Sequence, residues 1–234
     1  MIGAACARAH CAERVLRSGL SSGHPESEPA PLNRILDQFP LRRGAHDRRD
    51  DGMCAMEMVA WLAGEDHSDE PRCACPAISS YVRALNDLLP DDSERTRLLR
   101  PLVPKFVNTR GNDADALLRG WVVLDGTMRE LLPHVMRSLR RGHEAEAFAS
   151  SAPIVDVQSA QNALALVDRL APDQHSMRWM LQRAIEGCRP AQWVPGAMQL
   201  VRRANDTAAF ELAALVAARM SAGVSVRKNA SARR

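Results

Sequence analysis

Apolar positions along this chain mostly fall three and four residues apart, the spacing of helices; alternating Val/Ile/Thr-rich runs are scarce. From residue 32 onward nearly every apolar stretch carries helix start and stop signals. "LNRILDQF" predicts a short helix stopped by Pro40, and "LRRGAHDRRDDG" a charged loop. Asp51 is placed to cap a helix from Gly52 to Ala63, with Gly64 ending it in the C′ position. Pro76 opens a helix that runs to Leu89. "PDDSER" caps another, which Pro101 and Pro104 bend or break, and "NTRGND" is a turn that reads as a boundary between two halves.

The second half is helical throughout, with segments near 113–124, 127–141, 157–171, 173–187, 191–204 and 206–221 parted by Gly, Pro or Asn/Asp signals. In "SAQNALALVDRLA", residues Ala163, Leu164, Leu166, Val167 and Leu170 form a helical stripe. Only "APIVDVQS" reads as a strand. Helix pairs of about thirty residues suggest an α-solenoid, yet no side-chain pattern repeats at a fixed period. The expected fold is therefore all-α, an irregular helical bundle in one body or two helical subdomains. Its divisions are an N-terminal extension (1–31), a motif-bearing helical region (32–107), a C-terminal helical bundle (108–222) and a basic tail (223–234).

Composition supports a packed core: 46% of residues are hydrophobic and only 4% aromatic, in 234 residues. A chain this long needs neither metal nor disulfide to be stable. All but two of the 31 basic residues are arginine, the coding bias of a high-GC, bacterial genome. The net charge of +3 is unevenly spread. Residues 32–107 carry 11 basic against 13 acidic groups, and 108–222 carry 13 against 12, whereas the tail "GVSVRKNASARR" carries four and none. Neither helical half concentrates positive charge as a nucleic-acid-binding domain does, so nucleic-acid association is expected only through the tail. No apolar run reaches the roughly 18 residues of a membrane span. Arg8, His10 and Glu13 break any signal-peptide core, so a cytoplasmic location with reduced cysteines is expected. The extension pairs a short Ala/Arg/Cys-rich helix over 4–18 with the linker-like "SSGHPESEPAP". Its Cys6, His10 and Cys11 are either a metal grip or part of a poorly ordered start.

Strong chemistry is concentrated in "GAHDRRDDGMCAMEMVAWLAGEDHSDEPRCACP". His46, Cys54, His67, Cys73 and Cys75 offer five N/S ligands for a zinc ion, although the C-x-C pair is tighter than usual zinc spacing. Alternatively, Cys54 is a thiol nucleophile: with Asp51 as N-cap it falls at N3, where the helix dipole favours thiolate, and His46 or His67 supplies the base. The third reading concerns Glu57, the one non-apolar residue between Met53 and Ala63. Cys54, Glu57 and Trp61 share one side of the helix. If that side is buried, the carboxylate needs partners, and His46, Arg43, Arg48, Arg49 and Arg72 are the candidates. If it is wet, Glu57 only complements the helix dipole. The carboxylates of "GEDHSDEP" lack the spacing of a calcium loop and read as a solvated acidic loop. Phosphate-loop, dinucleotide, H-E-x-x-H and G-x-S-x-G signatures are absent.

This segment resembles a recurrent unit of bacterial and bacteriophage proteins for which no activity is established. The resemblance covers residues 40–107 and rests on Gly44, His46, Asp51-Gly52-Met53-Cys54, Met56-Glu57, Ala63-Gly64-Glu65, Ser68-Asp69, Pro71, Cys73, Pro76 and Asn86-Asp87. It implies a coherent structural unit and no mechanism. The expected function is a non-enzymatic helical module that binds a protein partner, with 44–76 organised by polar pairing or by zinc. An enzyme using Cys54 or Glu57 with His46 or His67 is the alternative.

Overall fold

The computed structural model describes Leu36 and residues 38–222. The expectations for Cys6, His10 and Cys11, for most of the "LNRILDQF" helix and for the basic tail lie outside the described residues. Among the described residues the fold is all-α, with no strand: in "APIVDVQS" residues 152–155 are a connection, Asp156 caps the following helix by accepting the Ser159 N–H at 2.8 Å, and 157–159 are that helix's first turn.

We label the helices α1 (Ala55–Ala63), α2 (Pro76–Leu88), α3 (Asp92–Leu99), α4 (Val103–Phe106), α5 (Asp113–Gly126) and α6 (Leu132–Ser138). They continue as α7 (Gly142–Ala149), α8 (Val157–Leu170), α9 (His175–Ile185), α10 (Pro190–Ala204) and α11 (Thr207–Ala222). The long amphipathic helix α10 is central, packing on α2, α5, α6 and α9, while α11 closes over α2 and α5. Trp193 of α10 is fully buried and meets Trp121 of α5 with ring centroids 5.6 Å apart. Each fully buried side chain of this size contributes roughly 1.5–3 kcal/mol or more. Buried residues from Leu36 to Met220 form one contiguous cluster, so both halves share a core.

Two departures from the expected elements have physical causes. The chain does not break near Gly126: α5 runs through a π-helical turn, Thr127–Leu131, directly into α6. Gly126 stays helical, and α11 lies so close to it that a Cβ there would meet Val216 Cγ2 at 2.5 Å. Pro133, having no N–H and a ring that crowds the preceding carbonyls, accounts for the wider turn before it. The helix at 142–149 was not expected; it is short, and only Ala145 and Phe148 anchor it in the core. Around Pro101 and Pro104 the chain breaks as expected, passing from α3 through a 3₁₀ turn, Arg100–Leu102, into α4.

Candidate functional site

The site is built at the N-terminus of α1, which lies between α2 and α4. The expected start at Gly52 is incorrect. Asp51 ends a 3₁₀ turn, Arg49–Asp51, and the chain leaves it through Gly52 at φ 130°, so helix begins only at Ala55. A side chain at Gly52 would be strained by that backbone, and its Cβ would lie 2.7 Å from Arg42 Cγ and 3.1 Å from His46 Nε2. Cys54 is consequently the N-cap rather than N3, and it forms a reciprocal capping box with Glu57. The Glu57 N–H donates to Cys54 Sγ at 3.4 Å, and the Cys54 N–H donates to Glu57 Oε2 at 2.7 Å. Gly64 ends α1 in the left-handed conformation at φ 71°, as its place in the sequence predicts.

Glu57 is the centre of the site and is buried, with 1% of its surface exposed. The His46 N–H donates to Oε1 at 2.6 Å and the His46 Nδ1 lies 2.9 Å from Oε2. Burial pushes the carboxyl pKa up. The N–H groups of Cys54 and His46, with the His46 ring, outweigh that and hold it below its ordinary value. Of the five candidate partners, His46 is the one that reaches it. Arg49 instead stacks over Trp61 at 5.1 Å, Arg48 faces Asp50 at 3.7 Å, and the Arg72 N–H donates to Glu65 at 2.6 Å. His67 approaches from the other flank, its Nε2 3.6 Å from Glu57 Oε1.

Other residues complete a polar knot. Asn86 of α2 donates to Arg42 O at 3.0 Å and accepts the Ala55 N–H at 3.2 Å, while the Gly44 N–H donates to Asp87 at 3.0 Å. Arg95 of α3, 1% exposed, donates to the Asn86 and Leu89 carbonyls at 2.7 and 3.0 Å and pairs with Asp92. Gly44, His46, Gly52, Cys54, Glu57, Asn86 and Asp87 thus meet in one arrangement. Arg95 was missed in the sequence, where it reads as an ordinary surface position of a charged helix start.

Not every candidate joins the site. The Cys75 N–H donates to Thr109 Oγ1 at 3.1 Å, and the Cys73 carbonyl accepts the Arg110 N–H at 2.8 Å, tying this stretch to the turn after α4. Burial raises the Cys73 thiol pKa. The acidic loop is less solvated than its composition suggests: Arg83 of α2 pairs with Asp69 at 3.2 Å and Glu70 at 2.6 Å. Among the described residues no three His, Cys, Asp or Glu side chains are grouped to hold a metal. His46, Cys54 and His67 do surround Glu57, but its oxygens already accept N–H groups.

Chemically, the arrangement disfavours a thiol nucleophile. Burial pushes the Cys54 thiol up to about 12; hydrogen bonding from the Glu57 N–H opposes this, and the Glu57 charge adds to it. The carboxylate does fix the His46 tautomer with its proton on Nδ1. No helix among the described residues is long and apolar enough to cross a membrane. Comparison of the chain with models of protein families, with curated proteins and with solved structures finds no match.

Proposed function

We propose that this chain is a cytoplasmic, non-enzymatic helical module that binds a protein partner, and that its 44–76 region is a structural polar site rather than a catalytic one. The observation that carries this reading is the occupancy of Glu57. Its two oxygens accept two main-chain N–H groups and the His46 ring, so the carboxylate fastens a loop to a helix start and has little left for a substrate. The raised Cys54 thiol supports the same reading. Thiol labelling of the folded protein across about pH 5–9 tests it. Cys54 should label no faster than Cys73 or Cys188, and metal analysis should find less than one equivalent of zinc. Rapid Cys54 labelling or stoichiometric zinc would overturn the structural reading. The partner is sought by cross-linking the full chain in cells and identifying the captured protein.

A second reading has one observation in its favour. With Nδ1 held by Glu57, His46 keeps Nε2 as its uncommitted ring nitrogen, the form in which an imidazole acts as a base. In that reading Glu57 is a positioning residue and His46 is the base of an enzyme. Carbethoxylation rates separate the two: a base of this kind reacts faster than the other histidines and slows in Glu57→Gln, whereas a purely structural His46 does not.

A further inference from the structure

His67 is the least satisfied polar side chain around the knot. It lies in the loop between α1 and α2 with 16% of its side chain exposed, and both ring nitrogens are buried without a hydrogen-bond partner. An unpaired buried polar atom is costly, so a native structure that keeps two on one ring needs a reason. The charge it faces is Glu57, whose Oε1 is 3.6 Å from Nε2, beyond a hydrogen bond but within ion-pair reach.

Geometry separates the species that would fill this gap. A water bonded to both atoms would hold them roughly 4.5 Å apart, from two bonds of about 2.8 Å at a tetrahedral angle. Zinc takes four ligands, and among the described residues no three His, Cys, Asp or Glu side chains are grouped to hold one. A proton fills the Nε2 side of this gap and leaves Nδ1 as it is. A charged Nε2–H closes on Oε1 to about 2.8 Å, and Oε1, accepting only the His46 N–H, has a lone pair to receive it.

We propose that His67 is a proton-operated latch: protonated, it bonds Glu57 Oε1 and ties residues 66–68 of the loop to the start of α1, and deprotonated, it releases that stretch while Arg83, Thr109 and Arg110 go on holding the rest of the loop. This rests on the reading of 44–76 as a structural polar site and adds its regulation. The charged neighbours are committed elsewhere. His46 holds Oε2, the Cys54 thiol is neutral, Glu65 accepts the Arg72 N–H, and Asp69 and Glu70 pair with Arg83 of α2. Asp66 is exposed on the same loop. Acid closes the latch and base opens it, read across the range of about pH 5.5 to about pH 8. Glu57 stays ionised throughout that range, because its carboxyl titrates below the usual carboxylate value.

Hydrogen exchange of the full chain, corrected for the intrinsic pH dependence of exchange, reads the latch directly. Amides of 66–68 should open several-fold less often at about pH 5.5 than at about pH 8, while the Cys75 amide, held by Thr109, and α10 amides show no such difference. His67→Gln should abolish the contrast and His46→Gln should retain it. His67→Gln lies in a loop outside the core, so it keeps the proposal testable if Glu57→Gln does not fold. A contrast absent from metal-free wild type, or surviving in His67→Gln, overturns the latch alone. One equivalent of bound metal overturns both the latch and the structural reading beneath it.

Discussion

Among the described residues two hydrogen-bonded histidine–carboxylate pairs stand at helix starts, and their surroundings separate them. In the N-terminal region, Glu57 is 1% exposed and binds His46 together with the main-chain N–H groups of His46 and Cys54. In the C-terminal bundle, Asp206 precedes α11, accepts the Ala209 N–H at 2.8 Å, and takes His134 Nε2 at 2.8 and 2.9 Å; its side chain is 44% exposed. In both, burial pushes the carboxyl up while N–H donors and the histidine bring it below its ordinary value. The ingredients match, and the consequences do not. A half-exposed pair is screened by water and salt and adds little beyond the helix cap. A buried one cannot lose a partner without leaving charge or N–H groups stranded.

The largest expected effect follows from stranding those donors. Glu57→Ala should lower the unfolding free energy by about 3–5 kcal/mol in urea titration, because His46 and Cys54 N–H groups lose their acceptor in the interior. An effect below about 1 kcal/mol would erase the contrast with Asp206. Next comes Gly52→Ala, which puts a Cβ at φ 130° and 2.7 Å from Arg42 Cγ. Its expected cost is about 1–3 kcal/mol, with the loss of protection concentrated in 42–57 by hydrogen exchange. Asp206→Ala removes a cap and an exposed pair, and thermal unfolding should register about 1 kcal/mol.

The smallest signal is a pH slope. Both folded carboxyls titrate below their unfolded values, so each contributes stability that is present above the unfolded value, 4.5 for Glu57 and 3.8 for Asp206, and is lost as pH falls through the folded value. Wild type should therefore weaken on acidification in that window. Replacing Glu57 by Gln should flatten the slope more than replacing Asp206 by Asn. The reverse ranking would mean that burial does not set the difference.

Much of this architecture was legible because helix punctuation is local. Pro76, Gly64, and the proline pair Pro101 and Pro104 act through their own backbone geometry, so their elements fall where expected. The start of α1 was misread because Asp51 looks like a cap from its neighbours alone. What overrules it is Gly52, whose φ of 130° takes the chain out of the helical region, with Arg42 and His46 lying where a Cβ would go. The site was half legible. A lone carboxylate in an apolar helix flags itself, and His46 was among its candidate partners. Arg95 and the engagement of Cys73 and Cys75 with the turn after α4 were not, since their partners come from other elements.

By itself, then, the sequence determined the all-α class, most helix boundaries, and the need for Glu57 to be satisfied if its side were buried, because propensity, capping and desolvation act within a few residues. Only tertiary structure decided that the side is buried. It also decided that His46 rather than an arginine answers the carboxylate, and that α5 continues through a π turn into α6. Those outcomes depend on which surfaces meet, and contacts such as Asn86 with Ala55 or Gly126 with Val216 join residues far apart in the chain.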